Sequence, residues 1–295
     1  MRMLQLGWFS SGNDEMAREL LLEVWRRRAR EGLEVEIPFV FCNWEPKGAP
    51  TTQLAQERVR FFGMVQELGI DLVSLNHFKV EPELRKRGLA ETTDHSNPSP
   101  TLLEWRNIYG QQVIDAILER GHDPDVCLLA GYMLIWSEAE CDRFDAINLH
   151  PALPWGPAGT WQEVIWDLME QGAEEQGAMM HLVTPELDRG PPVAYTKFPI
   201  QGPDWEPLWD HVRDAGVARI KEEEGESNPL FRRIRAEGER RELPLIGITV
   251  RALSNGRLRI VNKMPVTFGD HEAGAAADVT EAIELDIQGV DWRDG

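Results

Sequence analysis

The chain has 295 residues, of which 42% are hydrophobic and 27% charged, the balance of an ordinary globular protein that buries a sizeable core. Its formal net charge of -19 at pH 7 argues against broad electrostatic binding to nucleic acid or to an anionic membrane surface. Any anionic ligand must therefore be held locally, by arginine side chains or by helix N-termini.

Neither a secretory signal nor a transmembrane segment is expected. The apolar run that follows Arg2 ends at Ser10, which is too short for a signal peptide, and nowhere do about 18 apolar residues run together. The three cysteines, Cys42, Cys127 and Cys141, form neither a CxxC pair nor an even-numbered framework, which indicates a reducing compartment. We therefore expect a cytoplasmic protein.

Strand-like apolar runs alternate with amphipathic helical stretches from the N-terminus onward. Strands are predicted over residues 3–9, 35–42, 70–75, 125–130 and 146–149, and near 178–183 and 193–198. Helices are predicted between them, and capping boxes open three of these helices at Thr101, Ser137 and Thr160. This order predicts an α/β fold, with a mainly parallel, twisted, Rossmann-like sheet and helices on both faces.

The C-terminal part is predicted to add an antiparallel strand and a hairpin, in which residues 246–253 pair with 258–261 across a Ser254-Asn255-Gly256 turn. Residues 77–100 and 205–235 are interpreted as additions to the core. From Asp270 onward the sequence has eight acidic residues and one arginine, which predicts a solvated or loosely packed end. We therefore expect a catalytic domain over residues 1–268 and an acidic tail over residues 269–295.

The sequence Asn148-Leu149-His150-Pro151 falls at the carboxyl end of a predicted strand, where parallel sheets bind their ligands. Side chains alternate along a strand, so Asn148 and His150 project to the same side. They would present an amide donor and a titratable imidazole to one point, as acyl transfer needs for a developing oxyanion and for proton movement. Polar residues that merely satisfy loop carbonyls would show the same pattern, so the motif alone leaves both interpretations open.

A second polar segment, Glu186-Leu187-Asp188-Arg189-Gly190-Pro191, lies between two predicted strands. A carboxylate there could orient His150 or order a water molecule that relays protons. The same residues are also ordinary turn chemistry, so this motif does not decide its own role. The other histidines, among them His122 and His181, show no spacing suited to a metal site and are interpreted as structural.

Taken in order, these segments resemble the folate-dependent formyltransferases, most closely the phosphoribosylglycinamide (GAR) formyltransferases. The resemblance covers about residues 3–260, interrupted by the two additions. It rests on residues 9–13, 41–43, 125–133, 148–151, 184–191 and 253–258, which occur in the family's order.

The resemblance implies transfer of a formyl group from 10-formyltetrahydrofolate to an amine. In that reaction Asn148 would stabilise the oxyanion, His150 would move protons, and Asp188 would hold the relay in place. Folate contacts are implied for Leu129, Gly131, Tyr132, Met133, Leu134, Ile135, Thr184 and Glu186. Acceptor contacts are implied for Gly12, Asn13, Arg106 and Glu239. Neither a metal nor a nicotinamide is needed.

Two departures from the GAR enzymes concern ligand binding. Asp14 and Glu15 follow the first loop, where those enzymes have small neutral residues that bind the substrate phosphate, and carboxylates there would repel a dianion. Leu134 stands where those enzymes often carry arginine.

We expect GAR, in purine biosynthesis, to be the acceptor. A sugar-amine N-formyltransferase, a 10-formyltetrahydrofolate hydrolase and a non-catalytic folate-binding relative are the alternatives. The expected partners are the small-molecule amine and the folate, without nucleic acid or membrane. The sequence leaves the oligomeric state open, a homodimer included.

Overall fold

The computed structural model describes residues 2–45, 51–94, 97–267 and 276–290. The strands are β1 (Leu4–Phe9), β2 (Val35–Glu36), β3 (Phe39–Cys42), β4 (Asp71–Ser74), β5 (Val126–Leu129), β6 (Ala146–His150), β7 (Glu175–Leu182), β8 (Pro192–Pro199), β9 (Leu258–Val261), β10 (Met264–Thr267) and β11 (Ala277–Asp278). The helices are α1 (Glu15–Glu31), α2 (Gln53–Glu67), α3 (Pro82–Glu91), α4 (Pro100–Glu119), α5 (Glu138–Arg143), α6 (Trp161–Gln171), α7 (Glu206–Ala215), α8 (Val217–Glu223), α9 (Pro229–Ser254) and α10 (Thr280–Ile287).

A nine-stranded sheet in the order β11-β8-β7-β6-β5-β1-β3-β4, with β2 beside β1, confirms the predicted α/β fold. Five neighbouring strands of the sheet, in the order β4, β3, β1, β5 and β6, run parallel to one another. β7 runs antiparallel to both β6 and β8. The carboxyl ends of β1, β3, β5 and β6 therefore meet at one edge of the sheet. Ligands bind beyond such an edge in parallel sheets.

Helices cover both faces of the sheet, and alternate residues of each strand feed two separate cores. Trp8 of β1 packs on one face with α1, α2, α9 and α10, while its neighbour Phe9 packs on the other face with α4. A third apolar cluster forms around Trp205, Trp209 and Phe231, in the segment interpreted as the second addition, and packs on α6. No helix of the described segments is both long enough and apolar enough to span a membrane.

The predicted hairpin exists near the C-terminal end, but its strands are β9 and β10, and residues 246–253 belong to α9 instead. Residues 245–250 are all buried, and a short, continuously buried apolar run does not distinguish a strand from a helix by periodicity. The helix continues through Pro244 and packs between α1, α10 and the sheet. Residues 246–253 therefore lie in a helix that packs on one face of the sheet, and the predicted strand was wrong.

Two smaller expectations also differ from the structure. The second strand is split at Ile37-Pro38 into β2 and β3. Helix α4 begins at Pro100, because Ser99, and not Thr101, caps it by accepting from the amide of Leu102. The capping boxes at Ser137 and Thr160 are confirmed.

The acidic end is not uniformly solvated. β11 adds a parallel strand beside β8, and Ile283 of α10 is fully buried against the sheet's larger core. A count of charged residues does not reveal this burial. The helix is otherwise acidic, but Ala282, Ile283 and Ile287 place apolar surface against the core of the protein. Residues 269–275 and 291–295 of the predicted tail lie outside the described residues. The boundary of the catalytic domain stays a prediction.

Candidate active site

The structure brings Asn148, His150 and Asp188 together at the carboxyl end of β6. His150 is the last residue of the strand and is 2% exposed, while Asn148 is half-buried two residues earlier on the same side. The Nδ1 atom of His150 lies 3.5 Å from Oδ2 of Asp188. The three side chains therefore lie close together, and their catalytic roles stay a prediction.

Asp188 is held by its own loop, between β7 and β8. Its φ of 51° is left-handed, a conformation that is unusual for a residue with a side chain. The amide of Gly159 donates to Oδ2 of Asp188 at 3.1 Å. Gly190 lies so close to β7 that a Cβ there would be 1.7 Å from the carbonyl oxygen of Leu182, so only glycine fits. Strain and close packing thus determine where the carboxylate points.

The protonation of His150 follows from its neighbours. Nε2 lies 3.0 Å from the carbonyl oxygen of Pro157, and since a carbonyl only accepts, Nε2 carries the hydrogen in the neutral ring. Burial lowers the pKa of His150, although the charge of Asp188 opposes that shift. Burial alone would raise the pKa of Asp188, but His181, His150 and the Gly159 amide bring it below its ordinary value. The pair is therefore a neutral imidazole beside an ionised carboxylate.

His181, which was interpreted as structural, belongs to the site. In the antiparallel ladder between β6 and β7 it lies directly opposite Asn148, so both side chains are on the same face. Nδ1 of His181 donates to the carbonyl of Leu182 at 2.8 Å, so in the neutral ring Nε2 accepts from Nδ2 of Asn148 at 3.0 Å. Nε2 also lies 3.7 Å from Oδ1 of Asp188, and this contact stabilises the carboxylate when the ring is protonated. The sequence did show a histidine in the strand that leads to the Asp188 turn. Whether this histidine faces Asn148 depends on the register between β6 and β7, which the sequence did not show.

A cavity of about 470 Å³ opens near the start of β6, and its lining does not include Asn148, His150, His181 or Asp188. Its inner wall is formed by Ala146, two residues before Asn148, and by Leu182 and Val183, which follow His181. The predicted folate residue Thr184 also lines it. The predicted folate residue Glu186 is exposed, and its carbonyl accepts from the Thr184 hydroxyl at 3.1 Å. The remaining lining residues are Glu138, Cys141, Asp142, Phe144, Asp145, Pro185, Ile260 and Lys263.

The loop after β5 lies across the same edge and is tied to the first loop. The amide of Ser11 donates to the carbonyl of Gly131 at 3.0 Å, and the amide of Met133 donates to the hydroxyl of Ser11 at 2.9 Å. Leu129 is buried in the core below this loop. The other predicted folate residues of the loop, Tyr132, Met133, Leu134 and Ile135, line a second cavity of about 190 Å³.

Arg106 lines this second cavity and is 9% exposed, and burial lowers the pKa of its guanidinium. The structure therefore places Arg106 with the loop after β5, whereas the resemblance had grouped it with Gly12 and Asn13. Arg85 of α3 lines the same cavity, so the first addition contributes a second cation.

The first loop is organised by an arginine that the sequence interpretation missed. Arg58 donates to Oδ1 of Asn13 through Nε and Nη2, at 3.0 and 2.8 Å, and stacks its guanidinium over the ring of Trp44. Gly12 has a φ of 61° and packs against the ring of Phe61. The sequence did not show this contact, because it joins residues 45 positions apart and depends on how α2 packs.

The acids near this loop have distinct environments. Asp14 is the N-cap of α1 and accepts from the amide of Ala17 at 2.9 Å, while Glu15 is exposed. Glu239 of α9 forms an ion pair with Arg235 at 2.9 Å. Burial raises the pKa of Glu242, one turn further along α9, and Asp14 adds to that effect. Glu242 of α9 therefore lies near the start of α1.

Within the described segments, no three histidine, cysteine, aspartate or glutamate side chains are grouped as metal ligands would be.

The amino-acid sequence is similar to those of known formyltransferases. The profile of the formyl transferase family matches residues 29–220. The phosphoribosylglycinamide formyltransferase of Escherichia coli (strain K12) is 33% identical over 127 residues, which are 42% of this chain and 55% of the relative. That of Mycobacterium tuberculosis (strain H37Rv) is 34% identical over 95 residues, 31% of this chain and 43% of the relative. The chain spans about half the length of the curated relatives it matches.

Solved structures share the fold. Phosphoribosylglycinamide formyltransferase from Coxiella burnetii superposes with a TM-score of 0.57 at 18% identity, covering 93% of this chain and 98% of that one. A formyltetrahydrofolate deformylase from Pseudomonas syringae pv. tomato superposes with a TM-score of 0.55 at 17% identity, covering 90% and 66%. At these identities the likeness concerns the fold alone.

Proposed function

The chain belongs to the formyl transferase family, and from that premise we propose that it transfers a formyl group from 10-formyltetrahydrofolate to the amine of GAR, a step of purine biosynthesis. The observation that carries the proposal is the convergence of Asn148, His150 and Asp188 at the carboxyl end of β6. Acyl transfer to an amine needs an oxyanion donor and a proton acceptor at one point, and these side chains supply both.

Asn148 is the oxyanion donor. One hydrogen of its Nδ2 is committed to His181, so the amide cannot flip, and the second hydrogen is available for the formyl oxygen as it gains charge. Removing one such donor from an acyl-transfer site costs about 2.7–4 kcal/mol of transition-state stabilisation. The fixed orientation is what makes a single amide effective.

His150 is the proton acceptor. Its Nε2 hydrogen is directed at Pro157, so the lone pair that takes up a proton is on Nδ1, which faces Asp188. Burial lowers the pKa of His150 and keeps the imidazole neutral near pH 7. As the acceptor nitrogen bonds to the formyl carbon, its proton passes to Nδ1, where Asp188 stabilises the imidazolium, and then to the departing folate nitrogen.

The donor's ring fits the cavity of about 470 Å³, since small-molecule sites commonly occupy roughly 300–1,000 Å³. Bound there, the donor supplies an activated formyl carbon. The apolar wall of Ala146, Leu182 and Val183 would bury the flat faces of the ring, and Thr184 would contact its edge. Residues 131–135 would flank the rest of the donor.

The acceptor would lie at the first loop. Gly12, Asn13 and the guanidinium of Arg58 form its anion-binding part, and Glu239 of α9 provides a carboxylate for a cationic amine. Asp14 favours a second candidate, a sugar-amine acceptor, because the N-terminus of α1 is already capped by a carboxylate and is poorly suited to a dianion. Arg58 and Asp14 thus favour opposite acceptors.

The deciding experiment offers the purified enzyme a 10-formylated reduced folate with GAR, with amino sugars, and with no acceptor. Donor consumption that depends on GAR supports the proposal, and dependence on an amino sugar supports the second candidate. Consumption without an acceptor would replace both by hydrolysis. A protein that binds the donor but consumes it under none of these conditions would be the non-catalytic relative.

A further inference from the structure

The turn between β9 and β10 has an unusual residue. Only Asn262 and Lys263 connect the two strands, and their φ angles of 50° and 59° are both left-handed, as in a type I′ turn. Asparagine suits the first position of such a turn, but glycine is strongly preferred at the second. Lys263 occupies that position at a steric cost, and strained residues of this kind cluster at functional sites.

Lys263 connects the hairpin to the outer wall of the donor cavity. Its Nζ donates to the carbonyl of Phe144 at 3.1 Å and lies 2.9 Å from Oδ1 of Asp145. Both partners line the cavity, as do Lys263 itself and Ile260 of β9. An ammonium has three hydrogens, and these two contacts use two of them, so one hydrogen donor is available to the cavity.

The polar groups around Lys263 form a pattern. Among the lining residues, Lys263 is the single cation, and Glu138, Asp142 and Asp145 also line the cavity. One strong donor beside several acceptors is complementary to a ring edge on which a carbonyl oxygen adjoins N–H groups. The pyrimidinone edge of a reduced pterin has that order: an exocyclic oxygen at position 4, then a ring N–H, then an amino group.

We propose that Lys263 is a specificity-determining residue of the donor site, where its ammonium donates to the 4-oxo group of the pterin while the neighbouring carboxylates accept from the N–H groups. The β9–β10 hairpin is then part of the donor site and not only a closing element of the fold. This inference rests on the proposed function, because it assigns the cavity to the folate.

The test uses Lys263→Gly, which removes the ammonium and at the same time gives the turn its preferred Asn-Gly sequence, so the hairpin should form at least as well. Lys263→Met is the second variant, because it keeps the side-chain length and the strained φ. The control is Arg257→Ala, which removes an exposed cation just before β9. Calorimetry would measure binding of tetrahydrofolate and of its 4-amino analogue, neither of which carries a transferable formyl group.

We expect the parent protein to prefer the 4-oxo ligand, and both Lys263 variants to bind it roughly 10- to 100-fold more weakly, as the loss of a charged hydrogen bond implies. The preference for the 4-oxo over the 4-amino ligand should shrink toward unity in the variants and be unchanged in Arg257→Ala. Equal weakening of both ligands would mean that Lys263 only tethers the hairpin, and that result overturns the inference. So would unchanged affinity. If the parent binds neither ligand, the proposed function itself fails.

Discussion

Replacing Gly190 with alanine should disable the active site while leaving most of the fold intact. A Cβ at this position would lie 1.7 Å from the carbonyl oxygen of Leu182 and 2.7 Å from its carbonyl carbon. Both are backbone atoms of β7, and β7 cannot retreat without disturbing the ladder that pairs His181 with Asn148. The loop that carries Asp188 must therefore move away from the strand.

The size of the movement follows from the distances. Real Cβ atoms essentially never approach other heavy atoms within 3.0 Å, so the contact of 1.7 Å requires a shift of at least 3.0 − 1.7 = 1.3 Å. A misplacement of about 1 Å in catalytic geometry costs on the order of 10²-fold in rate. Overpacking of this kind costs about 1–3 kcal/mol of stability, which leaves a typical domain folded.

The assay is formyl transfer to the identified acceptor, with kcat and KM measured beside the melting temperature. The matched control is Gly63→Ala in α2, where a Cβ would meet nothing within 4 Å and the helix should gain about 0.5–1 kcal/mol. We expect Gly190→Ala to lower kcat at least about 100-fold at a temperature where it is folded, and Gly63→Ala to keep the parent's kcat. A folded Gly190→Ala protein with the parent's kcat would refute the claim that the position of Asp188 matters.

Three further predictions concern single side chains. His181→Ala should lower kcat about 10-fold or more with little change in the donor's KM, because Asn148 loses the partner that orients its amide. A change confined to KM would contradict this prediction. Asp188→Asn should slow the reaction and move the acidic limb of the kcat/KM profile to lower pH. The charge of Asp188 raises the pKa of His150, so without it the base stays neutral further into acid, and a shift to higher pH would count against His150 as the base. Asp14→Ser keeps an N-cap but removes a charge, so the KM for a phosphorylated acceptor should fall severalfold, whereas an unchanged KM would mean that no phosphate binds at α1.

Local features could be predicted because their causes lie within a few residues. The capping boxes at Ser137 and Thr160 depend on contacts between residues three apart, and both are present. The shared side of Asn148 and His150 follows from the alternation of side chains along one strand. The parallel strands, buried on both faces, stood out as apolar runs, and the α/β fold followed from their alternation with helices.

Contacts between distant segments could not be predicted in the same way. The pairing of His181 with Asn148 depends on β7 running antiparallel to β6 in one register, and the position of Arg58 over Asn13 depends on how α2 packs. Residues 246–253 are apolar enough for a strand or a helix, and only the surface offered by α1, α10 and the sheet selected the helix.

The sequence by itself therefore determined the α/β class, the two caps and the pair of catalytic candidates on β6, because each depends on local periodicity. Only the tertiary structure decided that His181 pairs with Asn148, that Gly190 packs against Leu182 beside the Asp188 turn, and that Lys263 lines the cavity near the start of β6. Those contacts join residues 8 to 119 positions apart, and they form only where the burial of many other side chains brings the segments together.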